Sequence, residues 1–289
     1  MADLTLAVDI GGTKMAAAAV DRSGAFTWRA AAPTPVTDEP EVLWRAVSDL
    51  VTASPPGASA CGVGCGGPMR SGGELVSPLN IPAWRDFPLR ARLASLTGLP
   101  VYVDNDAKAL ALGEGWLGAA RGCANFIAMV VSTGVGGGIV LDGRLLDGSD
   151  GNAGHIGHVI VVPDGRRCVC GARGCLEAEA SGTAIAAMTG RPAAEASPGV
   201  VARTGRLVGR AVASVANLLD LRLAVVAGSV ALGFGASFFA AAQETLDELA
   251  RLDFSTGARV VPAGLGGDGP LLGAAAVAWH GEGFLAAGP

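Results

Sequence analysis

Lysine is almost missing from this 289-residue chain, where only Lys14 and Lys108 occur. Arginine supplies the remaining positive charge, acidic residues outnumber basic ones by 26 to 21, and the formal net charge is −5. With no basic run anywhere, the chain has no electrostatic footprint for nucleic acid. Histidine is scarce too: there are three, and two of them, His155 and His158, lie close together. Long apolar runs are also lacking. The most apolar region, 211–242, is interrupted by Asn217, Asp220 and Arg222, which makes it two buried elements rather than a membrane span. Met1-Ala2-Asp3 leads straight into strand-like LTLAVDI with no leader pattern. The expectation is a soluble, cytoplasmic protein with no nucleic-acid or membrane partner.

What is present is apolar and small. Half the residues are hydrophobic and 44 are glycine, enough for a compact core in one large domain or two modest ones. The stretch from Val103 to Lys108 (VDNDAK) stands out. It reads as the end of a buried strand, PVYVD, followed by a helix, AKALALGEGWLG. Ligands of open α/β sheets bind at such strand ends. Asp106 there can act as a general base, and Asn105 can hold a hydroxyl with both ends of its amide. The plainer alternative is that Asp104 or Asp106 caps the helix.

Two glycine-rich turns follow strands. The first is Asp9-Ile10-Gly11-Gly12-Thr13-Lys14 between Leu4–Ile10 and MAAAAV; the second is Thr133-Gly134-Val135-Gly136-Gly137-Gly138 between Asn125–Ser132 and IVLDGRLL. Glycine lets backbone N–H groups approach phosphate oxygens closely. Two such hairpins facing each other could clamp a nucleotide. Neither is a Walker loop or a dinucleotide fingerprint. Lys14 ends the first turn and Lys108 lies in VDNDAK; both could neutralise phosphate charge, or either could be a solvated surface residue.

Other segments are read more briefly. Residues 31–40 form a loop, Glu41–Ala53 a helix, and Ala58–Cys65 a strand ending in Gly66-Gly67-Pro68. The proline-bounded stretch Ser77–Trp84 is a loop, where Trp84 forms either a lid or pocket wall or simple packing. Phe87–Gly98 and Val201–Leu219 are helical. Leu223–Ala227 is a buried strand, Ala231–Leu252 one helix, Arg259–Pro262 a strand and Pro270–His280 the last helix. Gly228, Gly233 and Gly235 fit either a shallow adenosine pocket or plain turns. The order β-β-β-α-β-α-β-α, repeated roughly in the second half, is an actin-like pattern.

His158 is followed by Cys168, Cys170 and Cys175 in C-x-C-G-x-x-G-C. One histidine and three cysteines in under twenty residues form a strong zinc signature. With four protein ligands the zinc would be structural, holding one imidazole nitrogen of His158 and placing Glu177, two residues past the last cysteine. Cys61, Cys65 and Cys123 read as small buried apolar residues.

Taken together, DIGGTK, NIPAW (80–84), DNDAKALALGE (104–114), STGVGGGIV (132–140), GNAGHIGH (151–158) and CVCGARGCLE (168–177) carry a resemblance across the whole chain. The chain resembles the ROK group of repressors, open reading frames and kinases, in particular its bacterial sugar kinases. The resemblance implies an α/β, actin-like (ribonuclease H-like) fold of two lobes around a central cleft. The lobes would be 1–107 and 108–289, with a C-terminal helix at about 278–289 returning to the first. It implies ATP-dependent phosphorylation of a hexose hydroxyl, most simply the 6-position of glucose or a glucose-like sugar, with Mg²⁺ and a structural Zn²⁺. Asp106 maps onto the base. Gly67, Asn80, Asn105, Asp106, His155, His158 and Glu177 map onto the sugar site. Asp9, Gly11, Gly12, Thr13, Lys14, Thr133, Gly134, Gly136 and Gly228 map onto the nucleotide site. His158, Cys168, Cys170 and Cys175 map onto the zinc site. Such relatives are homodimers or homotetramers.

One departure matters. The family's E-x-G-H reads His155-Ile156-Gly157-His158 here, so imidazole replaces an acceptor-only carboxylate. An amino-sugar acceptor of the kanosamine or N-acetylmannosamine type, or a catalytically weak sugar sensor, is the alternative. A repressor is disfavoured, because only eight residues precede Asp9, too few for a DNA-binding helix-turn-helix.

Overall fold

The computed structural model describes residues 4–285. The part of the expected C-terminal helix beyond 285 lies outside the described residues. The chain divides into two compact units: one comprises residues up to Gly118, Leu145–Ala153 and Leu265 onward, the other Ala119–Arg144 and Gly154–Gly264.

The first unit begins with three antiparallel strands, β1 (Leu4–Ile10), β2 (Lys14–Asp21) and β3 (Phe26–Pro33). Residues 31–33, expected in a loop, extend β3 because each pairs with β2 across from Met15 and its neighbours. Then come α1 (Pro40–Thr52), β4 (Ala58–Cys65), α2 (Leu89–Thr97), β5 (Val101–Asn105) and α3 (Asp106–Trp116). Proline opens α1, where its missing N–H costs nothing. The sheet order is β3-β2-β1-β4-β5, with β1, β4 and β5 parallel.

Side chains of β1 alternate between two cores, as strand geometry requires. Leu6, Val8 and Ile10 join Leu43, Val47 and Leu93 on one face; Ala7 meets Leu272, Ala275 and Trp279 on the other. Trp84 belongs to the first core. It is fully buried, stacks on Phe87 at 4.3 Å and donates its Nε1 hydrogen to the Pro40 carbonyl. It is therefore packing, not a lid or pocket wall.

The second unit holds β6 (Phe126–Val131), β7 (Val135–Leu141), β8 (Arg144–Leu145), α4 (Leu176–Ala180), α5 (Gly182–Thr189), α6 (Pro198–Leu219), β9 (Leu223–Ala227), α7 (Ser229–Phe234), α8 (Ala236–Leu249) and β10 (Arg259–Pro262). Its sheet order, β8-β7-β6-β9-β10, repeats that of the first sheet position for position. The expected single helix over 231–252 is two, because Gly235 takes φ 62° and breaks the helix between α7 and α8. The final helix, α9 (Gly269–Gly281), returns to the first unit. No helix among the described residues is long and apolar enough to cross a membrane.

The closest approach in the first unit is α9 on β4, where a Cβ on Gly62 would sit 2.0 Å from the Ala274 carbonyl oxygen. Gly62→Ala must push two backbones apart, at a cost of about 3 kcal/mol or more. Thermal unfolding should show a large loss of Tm or no folded protein. Gly233→Ala in α7, where nothing lies within 4 Å, should leave Tm unchanged or slightly raised.

Candidate active site and metal centre

In the first unit, polar groups gather where the three parallel strands end. Register places Asp9, Gly64 and Asp104 in one row and Ile10, Cys65 and Asn105 in the next. A Cβ on Gly64 would lie 3.8 Å from both the Asp9 Oδ1 and the Asp106 Cα. Two acidic residues thus flank a position with no side chain. Burial first, then the Asp106 charge, push the Asp9 carboxyl up to about 7, while Lys14 pulls it partly back.

The first glycine turn is held by Thr34. Its hydroxyl donates to the Gly11 carbonyl at 2.7 Å, its N–H donates to the Thr13 carbonyl at 3.0 Å, and Gly11 N–H donates to the Lys14 carbonyl at 3.0 Å. Thr13 and Lys14 are exposed. Asn80 lies between two glycines: a Cβ on Gly12 would meet its carbonyl oxygen, and one on Gly66 its Oδ1, each at 2.8 Å. A Cβ on Gly67 would stand 3.0 Å from the Asn105 Nδ2. Asp9, Gly12, Asn80, Gly67, Asn105 and Asp106 therefore share one surface.

Asn105 is the N-cap of α3, its Oδ1 accepting the Ala107 N–H at 3.0 Å. Asp106 assists, its Oδ1 accepting the same N–H at 2.8 Å. Asn105 thus does not offer both amide ends to a ligand; the helix engages Oδ1, and Nδ2 is the end to meet a hydroxyl. Asp104 is not the cap either, since it pairs with Lys108 at 3.1 Å. Burial raises the Asp104 carboxyl and Lys108 partly offsets this. Lys108 is 3% exposed and also bonds Asp147. Lys108 is neither a free phosphate contact nor a solvated surface residue: its ammonium is buried and engaged by carboxylates.

In the second unit, Glu177 is tied to the other glycine turn. Its Oε2 accepts the Val135 N–H at 2.9 Å, and a Cβ on Gly134 would lie 2.8 Å from that oxygen. The Thr133 carbonyl accepts from the Thr183 hydroxyl at 2.9 Å. Gly136 pairs with Val130 inside the hairpin. Gly228, at φ 100°, ends β9 so close to β6 that a Cβ would meet the Val131 carbonyl oxygen at 2.3 Å. The segment carrying the two histidines lies on β7, where a Cβ on Gly157 would be 2.2 Å from the Val135 carbonyl oxygen. His155 is exposed and its ring centroid is 6.0 Å from that of His158.

His158 Nδ1 lies 3.7 Å from Cys168 Sγ, and Cys170 Sγ 3.7 Å from Cys175 Sγ. All four donor atoms fall within 4.8 Å of one another. Ligands about 2.3 Å from a tetrahedral metal stand roughly 3.8 Å apart, so the cluster could hold a metal ion. Glycine makes the convergence possible: Gly174, at φ 73°, has no room for a Cβ beside the Val162 carbonyl oxygen. Burial pushes the Cys175 thiol up to about 12, so a bound cation would have to displace its proton. None of the six cysteines is in a disulfide, and Cys61 and Cys65 are fully buried.

Glu179 was not singled out in the sequence. Its buried carboxylate accepts from the Arg166 backbone at 2.6 Å, the Arg166 guanidinium at 3.0 Å and Arg203 of α6 at 2.5 Å. Burial opposes ionisation, but these partners hold the carboxyl below its ordinary range. It clamps the cysteine loop to α6. Its spacing from Glu177 was the only available hint. Thr34 carried no signal at all.

The family model described as ROK family matches residues 5–280. The chain belongs to the ROK family. An N-acetylmannosamine kinase of Citrobacter koseri is 40% identical over 247 residues, covering 80% of this chain and 85% of that one. The crystal structure of a ROK hexokinase from Thermus thermophilus superposes with TM-score 0.82 at 32% identity, covering 96% of this chain and 99% of the other. A ROK glucokinase from Streptomyces griseus in complex with glucose and AMPPNP gives TM-score 0.81 at 31% identity, with the same coverage. These ROK relatives share the actin-like two-lobe fold.

Two outcomes follow. The purified chain should carry one metal per molecule, measured by elemental analysis, and Cys170→Ser should lose both the metal and thermal stability; a metal-free, fully stable wild type would contradict this. Asp9 tests the electrostatics. Its folded pKa of about 7 lies well above the ordinary value of 3.8, so it costs stability increasingly as pH rises from about 4 to 7. Without magnesium, Asp9→Asn should match wild-type Tm near pH 4 and exceed it by several degrees at pH 8.

Proposed function

We propose that this chain is an ATP-dependent hexose kinase in which Asp106 is the general base. The observation that carries it is the shared surface at the ends of β1, β4 and β5, which puts a glycine turn, the Asn105 amide and the Asp106 carboxylate within reach of one another. The kinase relatives reported above point the same way.

Asn105 Nδ2 holds a sugar hydroxyl beside Asp106. The Asp106 carboxylate accepts the proton of the attacking hydroxyl, O6 of a glucose-like sugar. That oxygen forms a bond to the γ-phosphorus as the bond to the ADP oxygen breaks. A positioned base is worth about 10²–10⁴ in rate. Backbone N–H groups of Gly11–Lys14 and of Thr133–Gly136 hold phosphate oxygens, and Lys14 adds positive charge. Gly228 leaves room for the nucleoside. Asp9, whose raised pKa marks a buried carboxylate short of cationic partners, is the residue to hold Mg²⁺. When bound, Mg²⁺ supplies neutralisation of the developing phosphate charge.

By the family resemblance His158, Glu177, Asn80 and Gly67 are sugar ligands as well. Zn²⁺ fits the His158, Cys168, Cys170 and Cys175 donors, three thiolates and one imidazole, and is structural because every position is filled by protein. His158 would hold the ion through Nδ1, the nitrogen that lies 3.7 Å from Cys168 Sγ, and its other nitrogen would be left to donate to or accept from the sugar. The assembly is a homodimer or homotetramer.

A second acceptor class is an amino- or acylamino-hexose. It is favoured by exposed His155 at a position where the family has glutamate, and by the N-acetylmannosamine kinase relative.

Asp106→Asn should retain sugar binding in calorimetry and lose turnover by about two orders of magnitude or more. Near-normal turnover would remove Asp106 from the role of base.

A further inference from the structure

Residues Leu145–Ala153 belong to the first unit, although the chain on either side of them belongs to the second. This strap is fastened at polar points. Lys108 Nζ donates to Asp147 Oδ1 at 2.6 Å and to the Gly151 carbonyl at 3.2 Å, and pairs with Asp104 at 3.1 Å. The Asn152 amide clasps the Met69 backbone, donating to its carbonyl at 3.2 Å and accepting its N–H at 3.4 Å. Around these points lies a cavity of about 280 Å³, lined by Leu145, Asp147 and Gly151 of the strap and by Tyr102 and Val103 of β5. With a cavity beside it, the strap relies on those polar fastenings more than on apolar packing.

The fastenings flank Asp106, which itself is exposed. Asp104 stands two residues before it and Lys108 two after, so their ion pair closes the first turn of α3 around the base. The pair is shielded, with side-chain exposure of 3% for Lys108 and 19% for Asp104, whereas Asp147 is 65% exposed. On the other side, the Asn152 clasp holds the loop that begins at Gly67, which abuts Asn105. Lys108 is therefore the point where strand, catalytic helix and strap meet.

The geometry points to Lys108 as a positioning residue for Asp106, acting together with Asp147 of the strap; this rests on Asp106 being the base proposed above. Removing the ammonium leaves the buried Asp104 carboxylate uncompensated and lets the strand-to-helix junction shift. Misplacing a catalytic group by about 1 Å costs on the order of 10²-fold in rate.

The test compares Lys108→Met, Asp147→Ala and the double variant of the full chain, at saturating sugar and ATP. Lys108→Met should lower kcat by about tenfold or more, with KM for ATP unchanged. Asp147→Ala should lower kcat by a smaller factor, and the double variant should be no slower than Lys108→Met alone, since both act through one contact. Asp147→Glu should restore most of the loss. Hydrogen–deuterium exchange at residues 103–107 should quicken in Asp147→Ala. If Lys108→Met does not fold, the exposed Asp147→Ala and its Glu rescue carry the test. Wild-type kcat in the single variants, or multiplicative losses in the double, would overturn the proposal. A wild type that turns over no sugar would refute the kinase assignment instead; exchange would then decide, and unchanged exchange in Asp147→Ala would overturn the tether as well.

Discussion

The parallel register of β1, β4 and β5 is the constraint on which the first unit's chemistry depends. Because the three strands end together, Asp9, Gly64 and Asp104 align in one row, and the residues just beyond them face a common space. Glycine at position 64 keeps that row open. A slip of one residue in any pair would turn Asp9 or Asp104 to the other face of the sheet. Buried cores pack on both faces of the sheet, and they include the fully buried Trp84 and Trp279. The side chains that set the strand positions therefore also set where the Asp9 and Asp104 carboxylates lie.

The second unit solves the same problem differently. It repeats the strand order of the first, but the carboxylate at its glycine turn, Glu177, follows a loop whose donors could hold a metal ion. That loop is fastened three times: by the four converging donors, by the Glu179 pair of guanidiniums, and by the Glu177 bond to Val135. Donor atoms and charge pairs thus add to the burial of Val161, Cys168 and Cys175 in placing it. The acidic group on the turn is thereby held where glycine turn and histidine segment meet.

Much of this was legible in the chain. Strand ends with Asp-Asn-Asp, Gly-Thr hairpins and the spaced cysteines each carry a local chemical reason; the structure gathers the polar strand ends in the first unit and the histidine and cysteine donors in the second. The element order was readable because apolar periodicity and glycine punctuation agree. What could not be read were properties that need a partner distant in sequence. Trp84 looks like a loop residue until Phe87 and Pro40 bury it. Asn105 looks like a ligand with two amide ends until the helix engages one. Lys108 looks like a phosphate contact until Asp147, thirty-nine positions away, captures it. Gly235 breaks a helix that composition alone would have continued.

The central claim, that these groups form a sugar-dependent phosphotransferase, is tested most directly by ADP release from ATP and Mg²⁺ against a panel of sugars. Glucose, mannose, N-acetylmannosamine, N-acetylglucosamine and 3-amino-3-deoxyglucose would separate plain from amino-bearing acceptors, and so show what His155 selects. The account predicts that one of them stimulates ADP release well above the rest and above the sugar-free rate. Sugar binding seen by calorimetry, with no sugar stimulating ADP release, would contradict it and leave a sugar sensor.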